Sequence, residues 1–306
     1  MPRLTEDDYR RRFRDPAFGA DLAEVVRARH SLVGPLVRKV EGSSLVFRAG
    51  AGPWLKLTPP FFADSFDAEV AATAAAAGKL PARIPELIEA GWVEDWRYLV
   101  SAHVPGVQAG EVLGELDGAE REALASDLGA FMRAFHAVEA PGFERPFGPW
   151  PAYLARRLGD AAAIHAGRGT PAAWVGRIAA FLARHDPALS ALGPPVLVHA
   201  DLTAEHVMLE RAGGRWRLSG VLDLADAMTA PAELDLIAPF VELFRGDAAL
   251  QARLAAAAGV GRLGPELTMA LAMQHRFFRF DDWFAGEIAA GCVTIEAVAA
   301  AAFPGG

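Results

Sequence analysis

Two short apolar runs, each delivering a carboxylate at its end, constrain this chain more than any other feature: Val196-Leu-Val-His199-Ala-Asp201, continuing to Glu205-His206-Val-Met-Leu209, and then Gly220-Val-Leu-Asp223-Leu-Ala-Asp226. Arg211-Ala-Gly-Gly214 lies between them and has the composition of a turn, and Arg215 to Leu222 is again extended in pattern. The expected local structure is strand, loop, strand, hairpin, strand, with Asp201 and Asp223 brought to neighbouring loop ends. Such a pair suits phosphoryl transfer, because one carboxylate can orient and deprotonate a hydroxyl while the other holds Mg²⁺ against nucleotide phosphates.

Composition narrows the setting. A chain of 306 residues that is 52% hydrophobic can fill two lobes. Its apolar stretches, such as the alanine run from Ala71 to Ala77, fall well short of the roughly 18 residues of a membrane span. Arg3, Glu6, Asp7, Asp8 and Arg10 to Arg12 crowd the first residues, unlike a secretory signal, so the expected location is cytoplasmic, with no membrane partner. The single cysteine, Cys292, can make neither an internal disulfide nor a cysteine-based zinc cluster. A net charge of −8 argues against nucleic acid as a partner and is compatible with a cationic small molecule. Only Lys39, Lys56 and Lys79 of the 30 basic residues are lysine, and Lys56 stands inside the apolar strand pattern Pro53-Trp-Leu-Lys-Leu-Thr58. A lysine there invites pairing with an anion, the plain alternative being an edge-strand lysine in water.

Along the chain, the residues to about Arg38 read as helical. Ser44 to Arg48 and Trp54 to Thr58 alternate as strands around the Ala49-Gly-Ala-Gly52 turn. Asp64 or Ser65 is placed to cap a helix running through Glu69 to Gly78, and Leu87 to Val93 and Trp96 to His103 read as two further strands. That makes four strands and one internal helix before Pro105-Gly106 breaks the pattern. Beyond it, Leu124, Leu128, Phe131, Phe135 and Val138 recur at helical spacing. Further helices are expected over 151–167, 171–185, 232–244, 248–258, 265–288 and 294–302. The expected organisation is a small lobe at 1–103 and a larger helical lobe at 104–306.

The order of a lysine strand, a glutamate on the next helix, two strands leading to a hinge, His-x-Asp and a later Asp resembles the protein-kinase-like fold. More narrowly, His199-Ala-Asp201-Leu-Thr-Ala-Glu-His206 with Gly220-Val-Leu-Asp223-Leu-Ala-Asp226 resembles the aminoglycoside phosphotransferase and choline kinase superfamily. Leu243-Phe-Arg-Gly-Asp247 and Gln274-His275-Arg-Phe are similar to the carboxy-terminal part of the hygromycin B phosphotransferases. The resemblance implies an α+β, two-lobed fold with a small antiparallel-sheet lobe and a larger, mainly helical one. It implies ATP or GTP as co-substrate with Mg²⁺ or Mn²⁺, transfer to a hydroxyl of an aminoglycoside-like substrate such as hygromycin B and hence antibiotic resistance, and a protein that is a monomer or homodimer. By the same resemblance Lys56 contacts the phosphates and is held by Glu69, Asp201 is the base and Asp223 takes magnesium. The Gly42-Ser43-Ser44 turn covers the phosphates, and backbone groups of Ser101, Ala102 and His103 hold the base. Asp235 caps backbone amides of the catalytic loop, and His199 shapes that loop.

His206 departs from the pattern, which has asparagine there as an oxygen ligand to a second metal. Magnesium prefers oxygen, so imidazole implies a single magnesium, a softer ion such as manganese, or lost turnover. Glu205 next door would point away if the segment were extended. Acidic candidates for a cationic substrate are Asp226, Glu242, Asp281, Asp282 and Glu287, with His275 alongside. A choline- or sugar-like metabolite kinase and a nucleotide-binding pseudokinase are the alternatives.

Overall fold

Period-two alternation builds the first layer of the computed structural model, which describes residues 4–40, 42, 44–139, 143, 148–275 and 278–304. Five strands, β1 (Leu36–Lys39), β2 (Leu45–Ala49), β3 (Trp54–Thr58), β4 (Leu87–Val93) and β5 (Trp96–Ser101), form an antiparallel sheet ordered β1-β2-β3-β5-β4. Leu45, Phe47, Leu55 and Leu57 are buried in one cluster with residues of α1 (Glu6–Arg12) and α2 (Ala20–Arg29). Tyr9 of α1 centres that cluster, with the rings of Phe13, Phe18, Phe61, Phe62 and Trp96 all within 6.0 Å. Alternation then leaves Val46 and Lys56 for the opposite face, where they stand beside Leu99 in register.

β1 corrects the expectation of helix up to Arg38 and of four strands. Gly34 takes φ +92 before Pro35, which breaks the helical course, and the Gly50 amide donates to the Pro35 carbonyl at 3.0 Å. The four residues that follow pair only with β2, and Val37 on this edge is 62% exposed, so no buried alternation marks the strand. The next helix, α3 (Ala63–Ala76), grows out of a 3₁₀ turn at Pro60–Phe62, so neither Asp64 nor Ser65 stands at its N-cap. Ala68, Ala72 and Ala76 line one side of α3 and join the core of the larger lobe, small side chains that permit close approach.

Two connections tie the lobes. One is the hinge after β5, where Gly106 adopts φ +124 and a Cβ would lie 2.6 Å from the Leu209 carbonyl oxygen. The other is the segment before β4: Arg83 accepts from the Val221 amide at 2.8 Å and donates to the Ser219 carbonyl at 3.3 Å. Beyond the hinge, β6 (Val107–Gln108), β8 (Val207–Ala212) and β9 (Arg215–Val221) form a small sheet, and β7 (Val196–Val198) pairs with β10 (Met228–Ala230). β6 and β10, of two and three residues, are too short to carry a pattern in sequence.

The helix Gly118–His136 buries Leu124, Leu128, Phe131 and Phe135 as its spacing predicts, and opens with an Asp117–Glu120 capping box. Three expected helices are broken. The 232–244 stretch is a 3₁₀ helix at Ala232–Leu236 and α-helix only at Ile237–Glu242. The 151–167 stretch divides into Trp150–Gly159 and Ala161–Gly167 at Asp160, whose φ of −100° and ψ of 5° are not helical. Among its described residues the 265–288 stretch keeps helix only at Pro265–Ala272, Phe280–Trp283 and Ala285–Ala289. Phe278, Phe280 and Phe284 are all fully buried, and the chain must turn to bring all three inward; Phe277 lies outside the described residues. Among the described residues no helix is long and apolar enough to cross a membrane.

Candidate active site

Lys56 enters the cleft because Leu55 and Leu57 commit the other face of β3 to the core. Its ammonium lies 2.8 Å from Glu69 Oε2 on α3 and 3.0 Å from Asp223 Oδ1 after β9. Burial opposes the lysine's charge, but Asp223 and Glu69 outweigh it and hold its pKa above the usual value. Burial likewise disfavours the Asp223 carboxylate, yet Lys56 and then His206 keep it well below the usual carboxylate range. Burial raises Glu69 despite Lys56. Asp223 itself adopts φ +58, and its Oδ1 also accepts from the Ala225 amide at 3.2 Å, which turns the carboxylate back over its own loop.

The loop between β7 and β8 is held from beneath. Asp235, 2% exposed, accepts from the His199 amide at 3.0 Å and the Ala200 amide at 2.7 Å, and sits 2.8 Å from His136 Nε2. Burial opposes its charge, but the bond to His136 and the neighbouring groups hold it low. His199 is fully buried; its Nε2 donates to the Leu222 carbonyl at 3.0 Å and its Nδ1 accepts from the Asp201 amide at 3.3 Å. Burial pushes this ring down to about 4, consistent with the neutral tautomer those two bonds require. Asp201 is pushed up to about 7 by burial, with His206 opposing and Asp226, Asp223 and Glu242 reinforcing. His206 bridges the two aspartates: Nδ1 is 2.8 Å from the Asp201 carbonyl and 3.3 Å from Asp201 Oδ2, and Nε2 is 3.9 Å from Asp223 Oδ2.

Lys56, Glu69, His206 and Asp223 open onto one cleft, with Ser44, Ser101, Ala102 and His103 at its walls. Gly42 lines it too, while Ser43 lies outside the described residues. At the hinge the Ala102 amide is spent on the Glu86 carbonyl at 2.9 Å, so that donor is not available to a bound ring. His103 Nδ1 accepts from the Trp54 indole at 3.2 Å.

A lysine–glutamate pair and Asp223 line one interlobe cleft, and His206 on its wall stands 3.3 Å from Asp201 Oδ2. A profile of the phosphotransferase enzyme family matches residues 37–269. The chain belongs to that family. Among solved structures, this phosphotransferase is similar to the GDP complex of wild-type aminoglycoside 2'-phosphotransferase-IIIa, with a TM-score of 0.71 and 15% identity over 92% of this chain and 99% of that one. It is also similar to aminoglycoside phosphotransferase APH(3'')-Id from Streptomyces rimosus in complex with ADP and streptomycin, with a TM-score of 0.63 and 17% identity over 84% of this chain and 98% of that one. At such identities the shared property is the fold, which is protein-kinase-like. A search of curated protein sequences returns no match.

In this phosphotransferase the cleft also has apolar walls that the motifs did not announce: Val46 and Leu99 from the sheet, Met208 and Leu222 from the larger lobe. Their signal was present in the register, since Val46 and Leu99 flank Lys56 on neighbouring strands. Glu205 lines the cleft together with His206, against the expectation from extended geometry, because residues 204–206 form a turn. Of the acidic residues expected to meet a cationic substrate, Asp226 and Glu242 lie close enough to raise Asp201. Glu242 accepts from the Ala204 amide at 2.8 Å, so it also braces the loop. Asp281 pairs instead with Arg279 at 3.2 Å and Glu287 with Arg245 at 3.5 Å. The Asp282 side chain lies outside the described residues. His275 is 3% exposed beneath the loop, not at a surface open to substrate.

The residues present fit a hard divalent cation in part. Asp223 supplies carboxylate oxygen beside the Lys56 ammonium, the donor type magnesium takes. His206 does not match: its Nδ1–H is directed at the Asp201 carbonyl, and its remaining nitrogen is a softer donor than oxygen. Among the described residues no group of three or more His, Cys, Asp and Glu side chains is arranged to hold a metal.

Proposed function

We propose that this protein is a small-molecule O-phosphotransferase that moves the γ-phosphate of ATP or GTP to a hydroxyl of an aminoglycoside-like acceptor. The observation that carries the reading is Lys56 held between Glu69 and Asp223 on one side of a cleft that His206 links to Asp201. Lys56 would bind the phosphates, Glu69 would fix its position, and Val46, Leu99, Met208 and Leu222 would enclose the nucleotide base. Asp201 would accept the acceptor's hydroxyl proton, with a burial-raised pKa near the pH at which a base works well. Asp223 would hold Mg²⁺, which neutralises charge on the transferred phosphate. Asp226 and Glu242 would attract ammonium groups of the acceptor; hygromycin B is one acceptor of that class. A second reading, a nucleotide-binding protein without turnover, draws on His206 in the place of an oxygen ligand.

One assay separates the two. Purified protein is incubated with ATP or GTP, Mg²⁺ or Mn²⁺, and a panel of aminoglycosides and amino alcohols, with Asp201→Asn as the control. Phosphate should appear on one class of acceptor, and Asp201→Asn should slow it by about 10³-fold or more while nucleotide binding is retained. Equal background rates in both proteins, with nucleotide still bound, would defeat the transferase reading and leave the binding protein.

A further inference from the structure

Ala200, immediately before Asp201, adopts φ +63, a left-handed conformation that is costly for a residue with a Cβ. Such a conformation persists only where the surroundings determine it. Its amide is taken by Asp235 Oδ1 at 2.7 Å, and its carbonyl oxygen lies 2.6 Å from Nε2 of His275. A carbonyl can only accept, so Nε2 carries the hydrogen and donates. The donor is itself fixed. Tyr153 donates its hydroxyl to the Gln274 carbonyl at 2.6 Å, and Arg157 donates to the carbonyls of Met273 at 3.1 Å and His275 at 2.9 Å. The imidazole packs against Trp283 with ring centroids 5.1 Å apart.

We propose that His275 is a positioning residue: its Nε2–H grips the Ala200 carbonyl opposite Asp235, holding Ala200 left-handed so that Asp201 is aimed at the acceptor hydroxyl. It acts through Ala200, because Nε2 is 4.0 Å from Asp201 Oδ1, beyond hydrogen-bond reach. Burial pushes the imidazole down to about 4, so it remains a neutral donor through the physiological range. The inference rests on Asp201 being the base, and it replaces the expectation that His275 meets substrate.

The test compares the full-length wild type with His275→Phe, which keeps a ring without the donor, and with His275→Gln, which keeps a donor. A double variant, His275→Phe with Ala200→Gly, removes the cost of the left-handed conformation. In His275→Phe, kcat should fall about 10- to 100-fold with KM for both substrates within about threefold, since aim and not binding is lost. Hydrogen–deuterium exchange of the amides at 199–202 should speed up about tenfold or more. Gln should restore most of kcat, and the double variant part of it. Unchanged kcat and exchange in His275→Phe, or a Gln variant as slow as Phe, overturns the proposal. If His275→Phe does not fold, the Gln variant decides: near-wild-type kcat and exchange support the donor, a loss in both overturns it. The exchange measurement needs no turnover. Faster exchange in a protein whose wild type transfers no phosphate would retain the grip on Ala200 and reject the transferase reading; unchanged exchange in an active wild type would do the reverse.

Discussion

At Lys56 one ammonium serves two carboxylates, Glu69 at 2.8 Å and Asp223 at 3.0 Å, and its side chain is only 12% exposed. Removing the lysine therefore removes the partner of both anions at once. Lys56→Met should cost about 3 kcal/mol in denaturant unfolding, the scale for stranding a buried charge, and weaken nucleotide binding as well. Lys56→Arg should not restore binding, because a planar fork cannot occupy the point between those two oxygens. A loss below about 1 kcal/mol in Lys56→Met would show that the pair is solvated. His206 is the other residue whose chemistry decides something. In His206→Asn the oxygen donor should raise Mg²⁺ affinity in calorimetry and shift activity from Mn²⁺ towards Mg²⁺; no change in either measurement would remove His206 from the metal site.

The loop between β7 and β8 is an element that cannot stand on local interactions alone. Its first amides belong to Asp235, which follows it by more than thirty residues in the chain and is anchored by His136. Asparagine in that place keeps one acceptor oxygen and turns an NH₂ towards a donor. Asp235→Asn should therefore cost about 2–3 kcal/mol, read as a lower denaturation midpoint at unchanged m-value, and reduce transfer by loosening Asp201. An unaltered midpoint would mean that water takes over the amides. The same dependence explains why α3 is built of alanine on one side: Ala68, Ala72 and Ala76 let it join the larger lobe's core while Glu69 reaches Lys56.

For the molecule as a whole, the relation of the lobes rests on tight backbone contacts as well as on the hinge. A Cβ on Gly220 would meet Val104 Cγ1 at 2.5 Å and the Arg83 carbonyl oxygen at 2.7 Å, so both connections between the lobes converge there. Gly220→Ala should destabilise by about 2 kcal/mol through overpacking, whereas Gly193→Ala, with nothing within 4 Å of its Cβ, should not. Stability should also depend on pH through His165, 1% exposed and edge-on to Phe278. Burial, aided by Arg157 and Arg168, pushes it down to about 4. Its folded pKa is depressed, so its contribution is whole above the unfolded value and is lost as pH falls. Compared with His165→Phe, the wild type should lose about 1.4 kcal/mol per pH unit between about 6.5 and about 4. Parallel stability curves for the two proteins would show that the ring is protonated or solvated when folded.

Much of this was legible in the chain, because its causes are local. Alternation in Leu45–Ala49 and Trp54–Thr58, the helical spacing from Leu124 to Phe135 and the carboxylates closing their apolar runs all follow from residues near in sequence. They determined four strands of the sheet and the long helix and singled out Lys56, Asp201 and Asp223, whereas Glu69 was picked out only by the family resemblance. The edge strand β1 and the short β6 and β10 were not legible, since two to four residues paired on one side carry no period of their own. Only the tertiary structure decided that Lys56 meets Asp223 across 167 residues, that Ala102 spends its amide on Glu86, and that His275 lies beneath Ala200 and not before a substrate. The reason is physical: a side chain's type fixes what it can bind, but which partner it meets is set by the packing of elements far apart in the chain.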